Sequence, residues 1–203
     1  MSNAAAKFPR SPWAALRADT HRLYGRSSAA LTCKGALLSR TFRPVVSLRL
    51  CQAAAQSGGV LRVALPLCKL WHRWTCGAAG LDLPWRTPID GGFAITHGWG
   101  LVVNAGVRIG SNVTMFHGAT LGRRDRISAD GQRTSGYPVI ENDVWIGPHA
   151  VIVGDVTIGQ GSRIAAGAFV THSVPPHSMV SGNPAVVVRS GCTPDVAQPA
   201  PLD

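Results

Sequence analysis

The chain is predicted to be mainly β: a parallel β-helix of three-sided coils, preceded by a short α-helical segment. Three observations carry that prediction. From Ile89 onward helix-spaced apolar residues give way to a beat of six. One polar insertion interrupts the beat, after which it resumes. The charge also divides near the same boundary: residues 1–86 hold 13 Lys and Arg against Asp19 and Asp82, whereas residues 87–203 hold 7 against 8 acidic residues. At 203 residues and 45% apolar composition, a single main domain is expected.

Residues 1–86 read as the basic helical segment. Ser11 and Pro12 suit an N-cap and a first helical position, and Trp13, Leu16, Leu23 and Tyr24 recur at helical spacing until Gly25. Two more helices are expected, from about Pro44 to Gln56 and from Val60 to Trp74, the latter kinked at Pro66. Arg62, Pro66, Lys69 and Arg73 make that last stretch too polar to span a bilayer, and no charged-then-apolar signal peptide opens the sequence. Basic residues interleaved with Leu, Val and Trp suit an anionic membrane surface, an acidic partner, or a solvated helix face. No zinc-finger spacing or RNA-binding signature accompanies them, so no nucleic-acid partner is expected. The five cysteines are odd in number, scattered and without a C-x-x-C pair, as reduced thiols would be. These features give a cytoplasmic expectation, with a peripheral place at the inner membrane surface.

Residues 87–189 carry the repeat. Units open on Ile140, Ile146, Ile152, Ile158, Ile164 and Val170, with Val144, Ala150, Val156, Ser162, Ala168 and Val174 in the fifth place. The register runs upstream through Ile89, Ile95, Val103, Ile109, Met115 and Leu121. Each unit is a short strand and a corner: the opening aliphatic points inward and the small fifth residue fits beneath the turn. Three sides close a coil, coils stack at about 4.8 Å, and twelve units give four coils. The Pro-rich stretch 190–203 is expected to be a disordered tail.

Two departures from the beat mark a candidate site. The step from Ile95 to Val103 is eight residues, so two extra residues lie in the unit that carries His97. The polar segment 123–138 must leave the coil as a loop, and loops on rigid scaffolds commonly build sites. Counting in threes puts Ile95 and Met115 on the same side of neighbouring coils, so His97 and His117, each two residues further on, should stack about one strand spacing apart. His149, His172 and His177 read as solvated surface residues.

Several stretches resemble a known family. "THGWGLVV", "HGATLG", the ejected loop and "PVIENDVWIGPHAVIVGDVTIGQGSRIAAGAFVTHSVPPHSMVSGNPAVVV" are similar to serine acetyltransferases and to the related exopolysaccharide O-acetyltransferases of colanic-acid type. The resemblance covers about residues 80–189. "LRADTHRLYG" is similar to the short helical segment of the polysaccharide-type members. It implies a left-handed coil and transfer of acetyl from acetyl-CoA, as co-substrate, to a hydroxyl, without metal and without an acyl-enzyme. His97 takes the place of the family's general base, while His117 would bind substrate, hold His97 in its reactive tautomer, or cap a corner. Backbone N–H groups near Gly147 and Ala166 would face the pantetheine arm, and Arg163 or Arg189 its phosphates. The resemblance further implies a homotrimer with active sites between subunits.

Departures from the family bear on the acceptor. Thr96 stands where serine acetyltransferases have Asp, Tyr137 where they have a second His, Arg123 where they have Gly, and Pro148 removes a backbone donor. The terminal Ile of those enzymes is also missing from "PLD". The expected acceptor is therefore a hydroxyl of a surface-polysaccharide sugar, with L-serine as the alternative. Thr96, Trp99, Tyr137 and Arg133 are the candidate substrate-binding residues. Trp99 would offer a sugar-stacking platform or shield a coil end, and Tyr137 would bond substrate or only pack. Two other classes are a metal enzyme of the γ-carbonic anhydrase kind, whose close His-x-x-x-x-His pair is absent here, and a scaffold that has lost catalysis.

Overall fold

A computed structural model describes residues 11–58 and 60–201. Its helices are α1 (Pro12–Tyr24), α2 (Ala29–Leu38), α3 (Phe42–Gln56), α4 (Val60–Val63) and α5 (Leu65–Ala79). α1 begins on Pro12 and ends at Gly25 in the left-handed conformation, as its sequence predicts, although the Ser11 side chain makes no capping bond. The expected kink at Pro66 is a break: α4 stops at Val63, and Pro66 sits in the first turn of α5, where its missing N–H leaves no donor wanting. α2 was not expected. Ser28 caps it by accepting from Leu31 N–H at 3.2 Å, and Gly35 gives the Phe42 ring room to pack, since a Cβ there would lie 2.6 Å from that ring.

The repeat folds into a three-sided parallel coil. On its first face lie Arg108–Ile109, Val139–Ile140 and Thr157–Ile158, with single bridges from Ile89 and Val174 at either end. Ala94–Thr96, Thr114–Phe116, Trp145–Ile146, Arg163–Ile164 and Met179–Ser181 form the second, closed by antiparallel Val186–Arg189. The third holds Leu81–Asp82, Leu101–Val103, Thr120–Gly122, Val151–Val153 and Phe169–Val170. The register pairs Ile95 with Met115, Met115 with Ile146, and Ile146 with Ile164, as counting by sixes predicts.

Ile109, Met115, Leu121, Ile146, Ile152, Ile158 and Ile164 are all fully buried, and so are the fifth-place residues Val144, Ala150, Ser162 and Ala168. Each large aliphatic contributes on the order of 1.5–3 kcal/mol by leaving water. One register assignment is corrected. Val174 is not a fifth-place residue after Val170 but the opener of a further unit, bridged to Ile158, and Val180 follows it opposite Ile164. The step of four after Val170 was hidden because Val174 is aliphatic in either reading. The coil thus runs past four turns.

The helical layer is joined to the first coil by buried ions. Arg49 on α3 donates to both carboxylate oxygens of Asp19 on α1, at 2.8 and 3.3 Å, and to the carbonyls of Ile89 and Asp90 at 2.6 and 2.7 Å. Asp19 also accepts from Phe93 N–H at 2.8 Å. Burial pushes the Asp19 carboxyl up from its ordinary value, while the Arg49 charge and the N–H donors pull it down. Arg22 reaches across to the Gly92 carbonyl and the Thr114 hydroxyl.

The expected disordered tail is a second correction. Residues 190–201 run back along the prism: Cys192 N–H donates to His177 O, Arg163 reaches Thr193 O and Asp195, and Arg22 donates to Ala197 O. Asn112 exchanges two hydrogen bonds with the Ala200 backbone. Composition predicted disorder because it registers Pro and Ala but not the groove that receives them.

The ejected segment 123–138 is a β-hairpin, Arg124–Ile127 paired antiparallel with Arg133–Gly136. Its strands are pinned by Asp125, which accepts from Ser135 at 2.8 Å and from Arg133 at 2.7 Å, so that its carboxyl lies below the ordinary value.

Candidate active site

The edge between the second and third faces gathers the histidines. Ile95 and Met115 are paired, and two residues further on His97 and His117 have ring centroids 6.1 Å apart at 73°. A third ring, His149, meets His117 edge-on at 5.0 Å. The expected stack of two is therefore a ladder of three, although His149 is solvent-exposed. Its ring lies over Gly118, where a Cβ would fall 2.2 Å from His149 Nδ1, and Gly118 is itself left-handed at φ +67°. His177 lies over Gly161 in the same way, which makes a histidine above a glycine a corner device of this prism as well as a ladder member. Among the described residues the buried Nδ1 of His117 has no hydrogen-bond partner.

His97 occupies the left-handed region at φ +61°, which costs a non-glycine residue free energy and needs support. That support comes from two donors on its carbonyl: Trp99 N–H at 2.8 Å and Arg40 Nη2 at 2.9 Å. Arg40, between α2 and α3, also donates to Ala79 O at 2.9 Å and places its guanidinium 4.1 Å from the Trp99 ring centroid. Gly80 completes the contact, because a Cβ there would lie 2.4 Å from the indole. The two residues that lengthen this unit lie between the Thr96–Phe116 and Val102–Thr120 pairs, and Trp99 is back in the ladder, its carbonyl accepting from Gly118 N–H at 2.7 Å. Sequence reasoning did not single out Arg40. Nothing in a lone arginine beside a helix end distinguishes it until the first coil is packed there.

Beside His97 lies a cavity of about 350 Å³ on the second face. Thr96, Phe116, Trp145, Phe42 and Asp195 are among the residues that line it. The Phe116 ring sits 6.4 Å from His97 and 4.9 Å from Trp145. Thr96, His97, Trp99 and His117 are therefore gathered at one edge.

Tyr137 and Arg133 are not brought to that edge. Tyr137 packs on Gly106 at the corner where the hairpin leaves and the first face resumes, and Arg133 lies exposed on the hairpin, paired with Asp125. Within one chain they lie across the prism from His97. Tyr137 precedes Ile140 as Gly106 precedes Ile109, so its phase pointed to that corner.

Of the groups expected to meet CoA, Gly147 must be corrected: its N–H donates to Ile164 O in the stack of coils. Ala166 is exposed on the His97–His117 edge, two rungs beyond His117, and among the described residues no acceptor is seen for its N–H. Arg163 faces Asp195 at 3.5 Å, and Arg189 lies on the antiparallel strand two strands away on the same face. Among the described residues, no three His, Cys, Asp or Glu side chains form a metal-holding group.

The family model for the bacterial transferase hexapeptide (six repeats) matches residues 137–172, within the coil. A serine acetyltransferase of Bacillus subtilis is 40% identical over 113 residues, 55% of this chain and 50% of that protein. One from Mycobacterium tuberculosis is 34% identical over 122 residues, 60% and 48% of the two chains. Among solved structures, the serine acetyltransferase of Brucella abortus in complex with coenzyme A superposes with a TM-score of 0.70 at 27% identity, over 91% of this chain and 71% of that one. The soybean enzyme complexed with serine gives 0.67 at 28% identity, over 88% and 70%. Over the shared part the chain is similar to hexapeptide-repeat acetyltransferases of the serine acetyltransferase kind. It spans about half the length of the curated relatives it matches.

Proposed function

We propose that the chain is an acetyl-CoA-dependent O-acetyltransferase, built on a left-handed coil and working as a homotrimer with its sites between subunits. The observation that carries this reading is the pairing of His97 and His117 on one edge, with the His97 carbonyl held by Arg40. An alcohol is a poor nucleophile until its proton is removed. In the proposed step His97 takes the proton from the acceptor hydroxyl as that oxygen bonds to the thioester carbonyl carbon. The C–S bond then breaks, the proton passes to the departing sulfur, and the products are an O-acetyl ester and CoA. His117 lies next to His97 to bias its tautomer or to meet the acceptor. Ala166 N–H, on the same edge at roughly two strand spacings from His117, suits a carbonyl of the pantetheine arm, and Arg163 and Arg189 suit its phosphates. In a trimer, Tyr137 and Arg133 serve the edge of a neighbouring prism.

The acceptor that the relatives support is the hydroxyl of L-serine. The saccharide hydroxyl expected from the sequence finds no support among them. Thr96 and Tyr137 remain the positions that set this chain apart, so the deciding assay offers both acceptors: thiol release from acetyl-CoA with L-serine, and with nucleotide-linked and oligomeric sugars. His97→Ala should lower turnover on the order of 10²- to 10⁴-fold while CoA binding survives. His117→Ala should cost less. Unchanged turnover in the first variant would remove the mechanism, and a larger loss in the second would reverse the two roles.

A further inference from the structure

The helical layer presents a face that the prism does not cover. On α5, His72, Thr75, Cys76 and Ala79 are buried, and the opposite stripe is Leu67, Leu70 and Trp74, three and four residues apart, exposed by 71%, 66% and 58%. Val63, four residues before Leu67, is 77% exposed. Arg43 joins this stripe to the end of α2: its guanidinium lies 6.0 Å from the Trp74 ring and donates to Leu37 O at 2.7 Å. Leu37 and Leu38 are themselves more than 70% exposed. Six large apolar side chains thus lie along one side of the layer, where a soluble surface would carry polar residues.

The charge around them has one sign. Arg62 and Arg73 are exposed beside the stripe, with Lys69 half-buried on the same flank. Of the two carboxylates in residues 1–86, Asp19 is buried against Arg49, which leaves Asp82 alone at the surface. Among the described residues no helix is long and apolar enough to cross a membrane. An exposed Leu and Trp stripe flanked by Arg and Lys suits a helix lying in the plane of an anionic headgroup layer, its apolar side chains at the acyl boundary and its cations among the phosphates.

We propose that α5, with Val63 and the end of α2, docks this protein on an anionic membrane surface. The inference rests on the exposed stripe and the charge around it, and it stands whichever acceptor the active site takes. The test is flotation of the purified chain with vesicles of phosphatidylcholine alone and of phosphatidylcholine with about a third phosphatidylglycerol, at low and high salt. Binding is expected only to the anionic vesicles, weakened by salt. Leu70→Glu with Trp74→Glu should lower the partition about tenfold or more at an unchanged melting temperature. Arg62→Glu with Arg73→Glu, which leaves the apolar stripe in place, should lower it as well. Three results would overturn the proposal: no binding to anionic vesicles, equal binding by folded variants, or a drop in oligomeric mass of the Leu70/Trp74 variant by light scattering where the parent ignores vesicles. The last would make this face a contact between copies of the chain.

Discussion

Along the prism the same solution recurs on every rung: Ile109, Ile140 and Ile158 down one face, Met115, Ile146 and Ile164 down the next, Leu121 and Ile152 down the third, all buried. The helical layer buries Asp19, Thr20, Arg22, Ser47, Arg49, Gln52, His72 and Thr75 instead, each satisfied by a particular partner. Repetition lets a coil tolerate local loss, because each unit is held by its two neighbours. A network of particular partners has no such repetition. Removing one member leaves another charged or polar group buried without compensation.

That contrast can be broken first at Asp19. Asp19→Ala should destabilise by about 3–5 kcal/mol, because it strands the fully buried guanidinium of Arg49. Chemical denaturation measures it, and a cost below about 1 kcal/mol would show that the remaining partners of Arg49 compensate its charge. Within the prism, Ile152→Ala should cost about 2–5 kcal/mol by cavity formation. Val180→Ala, on the terminal rung, should cost less, since a smaller side chain is removed where fewer coils close over it. Equal costs at the two positions would contradict neighbour-by-neighbour stability.

The smallest effect is a pH dependence centred on His72. Its Nε2 bonds the Leu83 carbonyl at 2.7 Å, Nδ1 meets Ser47 Oγ at 2.8 Å, and burial holds the imidazole below its ordinary value. The unfolded chain then binds the proton more readily than the folded one. The contribution is present above the unfolded value near 6.5 and is lost as pH falls through it toward the lower folded value. Melting temperatures from pH 7.5 down to 5 should decline more steeply for the parent than for His72→Gln. Parallel slopes would remove His72 from the account.

The parts legible in the sequence were those in which residue type and spacing repeat. The beat of six gave the coil, its faces, and the meeting of His97 with His117, because a strand's inward positions must be apolar wherever the strand lies. α1 and α3 were legible from periodicity and from their stops. α2 was not: its residues show little amphipathic pattern, and Gly35 in its interior speaks against a helix until Phe42 is seen to need the space. Arg40 could not be read as the holder of His97, because the two are 57 residues apart and only packing of the helical layer on the first coil unites them. Gly147 misled for a related reason. A backbone N–H looks free until the next coil is laid upon it.

The sequence by itself determined the rung spacing, the three faces and the place where the coil opens, since these follow from side-chain volume and polarity repeated at a fixed interval. Only the tertiary structure decided which buried charges meet, where the tail lies, and what holds His97 in its left-handed conformation. Those contacts join residues far apart in the chain, and each depends on distances that no local pattern encodes.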